Sequence, residues 1–347
     1  MQFTDTVKTV TREVIVPKVY DTILKGNVGL MRLMGNAKVW GSGFRMDVPV
    51  KFQKSTVGGL VGLGGSLDTS RSNTRVKMQF DPKRRHKPVL IDDIEGQLNK
   101  GDEQVLMLLA TEMDSVAQDL LDDAGSDLYN GNGSGNEFDS IENAADDATN
   151  HTSYGGLARA TYASLNGYLA TSVGALALSD MSTAHNATKI GSEKPTVILA
   201  DVTSWTAYEG LLQPTVQAGY QATGFPQVTR TGVIASRNAL GGEIGFDSIY
   251  YRGTPVVEDE KCASGHMKFL NEKYFAFHGI DIDGYEKFNV SAGNVEGPQS
   301  IPVPRGFNWS GLLRSVNQPA QVGHLYIIGN YVAVDPRRSG SVEGITG

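Results

Sequence analysis

The chain has 347 residues, one cysteine and 31 Lys and Arg against 38 Asp and Glu, a formal net charge of −7. That length fills one large domain or two ordinary ones, and the lone Cys262 excludes an internal disulfide. A mildly acidic whole speaks against a sequence-reading DNA binder, no apolar run is long enough to span a membrane, and Met1-Gln2-Phe3-Thr4-Asp5 does not read as a signal peptide.

Residues 1–44 carry six Lys and Arg and three acids, with weak periodicity from Val14 to Tyr20, and read as an extended arm with one helical turn or strand. Phe44-Arg45-Met46-Asp47-Val48-Pro49-Val50 alternates apolar and polar residues, which predicts a strand. Five glycines follow in the eight residues from Gly58 to Gly65, and Thr74–Phe80 alternates again as the returning strand. Two strands joined by a glycine-rich tip form a long arm that is only marginally stable alone, so it needs a surface to lie on.

The next segment is helical. Val105, Leu106, Leu109, Met113, Val116, Ala117, Leu120, Leu121 and Ala124 share one face at 3.6-residue spacing, with acids elsewhere. A rod of about 35–40 Å is expected, with Asp102 at its start. It stops at Tyr129-Asn130-Gly131-Asn132-Gly133-Ser134-Gly135. Beyond it, helices are expected over Tyr154–Tyr168, Met181–Ile190 and Val202–Leu212, with a buried strand over Pro195–Ala200. From there strands dominate: Gln227–Ala235, Ser248–Val257, Met267–Asn271, Tyr274–His278 and His324–Ile328, with a loop over Gly293–Phe307. The pattern is α+β, without internal repeats.

Charge is segregated along this order. Arg45–Leu90 holds ten Lys and Arg against three acids; Ile91–Asn150 holds Lys100 alone against sixteen acids. Separation of this kind suits a chain that tiles a surface, where the basic arm of one copy lies on the acidic helix of its neighbour. Arg71, Arg75, Lys77, Arg84, Arg85 and Lys87 are the expected cations, and Glu112, Asp119, Asp122 and Asp123 the expected anions.

Catalytic and ligand-binding patterns are not found. Gly58–Gly65 is followed by a polar stretch and a strand, not by the helix a phosphate loop opens, and no Gly-Lys-Ser/Thr is present. Asp119, Asp122, Asp123 and Asp127 lack the ligand spacing of a calcium loop. The six histidines have no i, i+3 or i+4 pair for zinc, and no Ser/His/Asp set or nucleophilic setting for Cys262 is visible. Asp81-Pro82-Lys83-Arg84-Arg85-His86-Lys87 has no interleaved aromatics and reads as a protein-docking patch.

This order of elements resembles the major capsid proteins of tailed bacteriophages, the Hong Kong 97 type. Asp127–Gly135 is similar to the family's stop after its spine helix. Tyr154-Gly155-Gly156-Leu157-Ala158-Arg159, Tyr251-Arg252-Gly253-Thr254-Pro255-Val256-Val257 and Gly329–Gly340 resemble motifs of one branch of these coats. The resemblance implies an N-terminal arm at 1–44 and an extended hairpin, the E-loop, at 45–90. A peripheral domain takes 91–137, with the spine helix, and 281–347; an axial domain takes 138–280. It implies a non-enzymatic shell of hexamers and pentamers in the virion, assembled in the host bacterial cytoplasm without cofactor, metal or membrane. The shell encloses double-stranded DNA without reading its sequence. Implied partners are a portal, a separate scaffolding protein and a decoration protein. Two other classes stay open: an encapsulin-type nanocompartment shell and an acid/base enzyme of α+β fold.

Overall fold

A computed structural model describes residues 27–41, 43–92, 102–212, 248–283, 286–287, 305–314 and 319–346. Its N-terminal elements are α1 (Val28–Gly35), β1 (Lys38–Val39), β2 (Met46–Lys51), β3 (Arg75–Phe80), β4 (Lys83–Asp92) and α2 (Asp102–Tyr129). The middle of the chain adds α3 (Ile141–Ala145), β5 (Ser153–Tyr154), β6 (Leu157–Ala158), β7 (Tyr168–Ala170), β8 (Gly174–Ala175), α4 (Leu178–Thr188), β9 (Val197–Ala200) and α5 (Val202–Leu211). Strands close it: β10 (Ser248–Tyr251), β11 (Thr254–Glu258), β12 (Met267–Leu270), β13 (Phe275–Gly279) and β14 (Glu286–Lys287). Then come β15 (Phe307–Trp309), β16 (Leu313–Arg314), β17 (Ala320–Ala333), β18 (Gly340–Val342) and β19 (Ile345–Thr346).

Two sheets organise these elements. In the seven-stranded sheet the order is β1-β13-β17-β15-β14, and β4 and β16 also pair with β17. The 14-residue β17 is the hub, and β4 runs antiparallel to it from Lys83↔Gly329 to Asp92↔Ala320. The six-stranded sheet has the order β10-β11-β9-β12-β18-β7.

Each sheet buries a face under helices. Ala117, Leu120, Ala124 and Leu128 of α2 recur at helical spacing and are all buried, facing the first sheet. Tyr331 of β17 donates its hydroxyl to the Ala124 carbonyl at 3.3 Å. Met181 and Ala184 of α4 and Tyr208 of α5 pack against Ile198, Val256 and Phe269 of the second sheet. Asp201 caps α5, accepting from the Thr203 and Ser204 amides. Fully burying each large apolar side chain here contributes about 1.5–3 kcal/mol.

Several expectations are corrected. The two-stranded arm consists of β2 and β3 alone, paired from Met46↔Phe80 to Lys51↔Arg75. Strand β4, expected in the hairpin arm of 45–90, belongs to the seven-stranded sheet. Pro49 and Pro88, which offer no amide, suit strands with only one partner. Tyr154–Tyr168 is not a helix. It folds as the β5–β6 hairpin followed by a short 3-10 turn at Ala163–Leu165, because Gly155 and Gly156 take φ +53 and +74. Ser248–Val257 is a hairpin turning at Arg252 and Gly253, and the strand expected at His324–Ile328 runs from Ala320 to Ala333. Strand β13 lies in the first sheet and β18 in the second. The strand expected at Gln227–Ala235, the segment Val14–Tyr20 and most of the Gly293–Phe307 loop fall outside the described residues.

Candidate assembly interface

The arm is anchored at its base and bare at its tip. Val48, Met78 and Phe80 are buried in the main core. The Gln79 amide donates to the Gly155 carbonyl at 2.8 Å, and Phe80 meets Tyr154 edge-on at a centroid distance of 5.4 Å. One step further out, Phe52 meets the Tyr162 ring edge-on at 5.1 Å, and the Ser164 hydroxyl donates to the Phe52 carbonyl. The backbone ladder ends with the Phe52 amide donating to the Thr74 carbonyl at 3.1 Å. Beyond it, Leu60 and Leu63 are fully exposed and Leu67 is 75 % exposed. An arm projecting this much apolar surface has the character of a docking element.

The charges sort differently from expectation. On β4 the side chains alternate, and Arg85 and Lys87 face α2 of the same chain. Arg85 forks its Nε and Nη2 onto both carboxylate oxygens of Asp127 and reaches Asp123 Oδ2 with Nη1 at 3.2 Å. Lys87 Nζ lies 3.0 Å from Asp123 Oδ2. Asp122 is held by Lys261 at 2.5 Å. Lys77 pairs with Asp47 inside the arm at 3.1 Å, and Arg84 stacks over Tyr326 at 5.5 Å. Own-chain contacts therefore occupy Lys77, Arg84, Arg85, Lys87, Asp122 and Asp123, which the sequence pointed toward a neighbour. The reason is that β4 pairs with β17 under α2, which presents Arg85 and Lys87 to the acids of the same chain. Burial pushes the Asp127 carboxyl up, opposed by its bond to Arg85, whose own pKa is raised by this pairing against the cost of burial. Lys77 and Arg84 stay exposed despite these contacts; Arg71 and Arg75 in the arm, and Glu112 and Asp119 on α2, are exposed as well.

Three buried polar knots, which local sequence patterns did not signal, tie the elements together. Asp259 accepts from the Tyr129 hydroxyl at 2.8 Å and the Gly29 amide at 2.7 Å, joining α1 and the end of α2 to the β11 end. Asp139 accepts from Asn330 Nδ2 at 2.9 Å and Asn143 Nδ2 at 3.1 Å; burial pushes its carboxyl up to about 6. Lys268, 1 % exposed, donates to Ser341 Oγ at 2.8 Å and Glu343 Oε1 at 2.9 Å.

Glu142, His266 and Glu343 cluster closely enough to raise the question of a metal ion. The Lys268 ammonium already lies 2.9 Å from Glu343 and 3.9 Å from Glu142, so the carboxylates have a resident counter-charge. Burial and Lys268 lower the His266 pKa. The donor set does not fit a divalent cation. Cys262 is buried, and burial raises its thiol far above the range of a nucleophile. Among the described residues no helix is long and apolar enough to cross a membrane.

No family model and no curated protein matches this chain. Among solved structures, the capsid asymmetric unit of cyanophage A-1(L) superposes over 100 % of both chains with a TM-score of 0.74, at 16 % identity. The capsid of a native GTA particle matches over 96 % of this chain and 95 % of its own, with a TM-score of 0.56 and 9 % identity. An encapsulin complex from Synechococcus elongatus matches over 100 % of this chain and 96 % of its own, with a TM-score of 0.54 and 11 % identity. The chain therefore has the Hong Kong 97-type capsid fold, an α+β architecture used by shell proteins. Its likeness to the cyanophage coat is greater than its likeness to the encapsulin.

Proposed function

We propose that this chain is the major capsid protein of a tailed bacteriophage, self-assembling into an icosahedral head that encloses double-stranded DNA. The end-to-end match to the cyanophage capsid subunit, with no substantial segment of either chain left over, carries the reading. A bare apolar arm tip supports it, since exposed Leu60 and Leu63 side chains gain by burial against another copy.

On this reading residues 46–80 form the E-loop, α2 is the spine helix of a peripheral domain, and the six-stranded sheet is the core of an axial domain. Arg71 and Arg75 of one copy lie against Glu112 and Asp119 of the next. Exposed pairs of this kind contribute about 0.2–1 kcal/mol each and set register and assembly rate more than affinity. Repetition over a closed lattice of hexamers and pentamers turns such weak terms into a stable shell. A portal, a separate scaffolding protein and a decoration protein are the partners, with assembly in the host bacterial cytoplasm and residence in the virion. The protein acts as a structural element and performs no catalysis.

Negative-stain microscopy of the purified chain tests this directly: closed polyhedral particles are expected, and a persistent monomer with a ligand-dependent melting shift would sink it. The encapsulin match motivates the second reading. Mass spectrometry of particles isolated from their native source separates the two, because a phage head holds DNA and a nanocompartment holds an enzyme.

A further inference from the structure

Residues 46–51 and 75–80 are paired, and Val48, Met78 and Phe80 bury the base in the core. From Gln53 to Asn73 the hydrogen bonds stay within the arm, among them two that cross it: Gln53 Nε2 to the Asn73 carbonyl at 2.6 Å, and Ser72 Oγ to Ser55 Oγ at 2.8 Å. Between these two regimes stands one contact with the body of the protein. The Phe52 ring meets Tyr162 at 5.1 Å and 85°, and Ser164 donates its hydroxyl to the Phe52 carbonyl. Tyr162 and Ser164 belong to the segment after the β5–β6 hairpin, outside the arm and at the surface.

We infer that Phe52, Tyr162 and Ser164 form a latch that fixes the direction in which the arm leaves the body, and whose release re-aims residues 53–73 as one unit. An edge-on ring pair and one hydrogen bond at a half-exposed site are weak enough to open without unfolding either partner. They are also directional enough to hold the arm ready for a neighbour, which lowers the ordering cost of docking. The arm's use as a docking element rests on the shell reading; the latch itself does not.

The test uses spin labels on the unassembled chain at Lys54→Cys and Thr149→Cys, both exposed positions. With the native latch the label–label distance distribution is narrow. In the Tyr162→Ala/Ser164→Ala double variant it broadens at least twofold, while Tyr162→Phe, which keeps the ring, stays narrow. If the double variant fails to fold, the Ser164→Ala single variant at its exposed site is read in the same way. An unchanged distribution in the folded variant overturns the latch, whether or not the wild-type chain forms particles. Particle formation by the wild type is scored separately by microscopy, so failure of the shell reading is distinguishable.

Discussion

Arg85 closes both prongs of its guanidinium on the carboxylate of Asp127 in the same chain. This pair turns β4 into a strap that holds the end of the acidic α2 helix down on the seven-stranded sheet. Charge-assisted, two-pronged bonds of this kind at a half-buried site are among the stronger polar contacts a protein makes.

Replacing Arg85 by Ala is accordingly expected to lower the stability of the unassembled chain by about 1–3 kcal/mol. Asp127→Asn should cost a similar amount, and the double variant less than the sum. Denaturant melts of the four proteins measure the coupling. Strict additivity would show that the strap contributes nothing.

Arg71 and Arg75 have the opposite profile. The Arg71→Glu/Arg75→Glu variant should melt as the wild type does, since neither side chain serves the fold, yet its particle yield should fall several-fold. Raising the salt from 50 mM to 500 mM should weaken wild-type assembly in the same direction, because exposed charges are screened. Normal yield in the variant would remove the arm-to-spine contact from the proposal.

Lys268 is the ammonium whose loss should be felt most. Lys268→Met strands Glu343 with a buried charge, at a cost of about 3–5 kcal/mol. Adding Glu343→Gln should recover part of it by removing that charge. Thermal melts of the single and double variants report this, and a double variant no better than the single would argue against charge as the cause.

Two groups set opposite pH dependences. Burial, helped by Arg252, lowers the His185 pKa below its usual 6.5, so folding favours the neutral ring. Its contribution is full above pH 6.5 and is lost as pH falls through the lowered folded value. His185→Phe keeps an edge-on contact with Tyr251, now at 5.9 Å, and should flatten the loss of stability on acidification. Asp139 has a folded pKa raised to about 6, so the unfolded state binds fewer protons between about 4 and 6. Its protonation stabilises the fold at low pH, and that contribution is lost as pH rises through 6. Wild type minus Asp139→Asn should therefore become less favourable by up to about 3 kcal/mol between pH 4 and 7. Parallel pH–stability curves for either pair would contradict the assignment.

What the residues alone determined is what local periodicity can encode. The apolar stripe from Val105 to Ala124 specifies α2 because a helix repeats its face every 3.6 residues. Alternation at Phe44–Val50 and Thr74–Phe80, around a glycine-rich turn, specifies a hairpin. The run Pro195–Ala200 reads as a strand because it is short, predominantly apolar and rich in β-branched residues, and the order of these pieces was enough to suggest the shell fold. What only the tertiary structure decided is which partner each piece finds. Strand β4 is a polar run, Lys83 to Pro88, followed by the apolar Val89-Leu90-Ile91, without the alternation of β3, and its partners on β17 lie 228 to 246 residues away along the chain. Nothing in that run by itself points to β17. That one pairing sets Arg85 and Lys87 against Asp123 and Asp127 of α2, because side chains on opposite faces of a strand meet different neighbours.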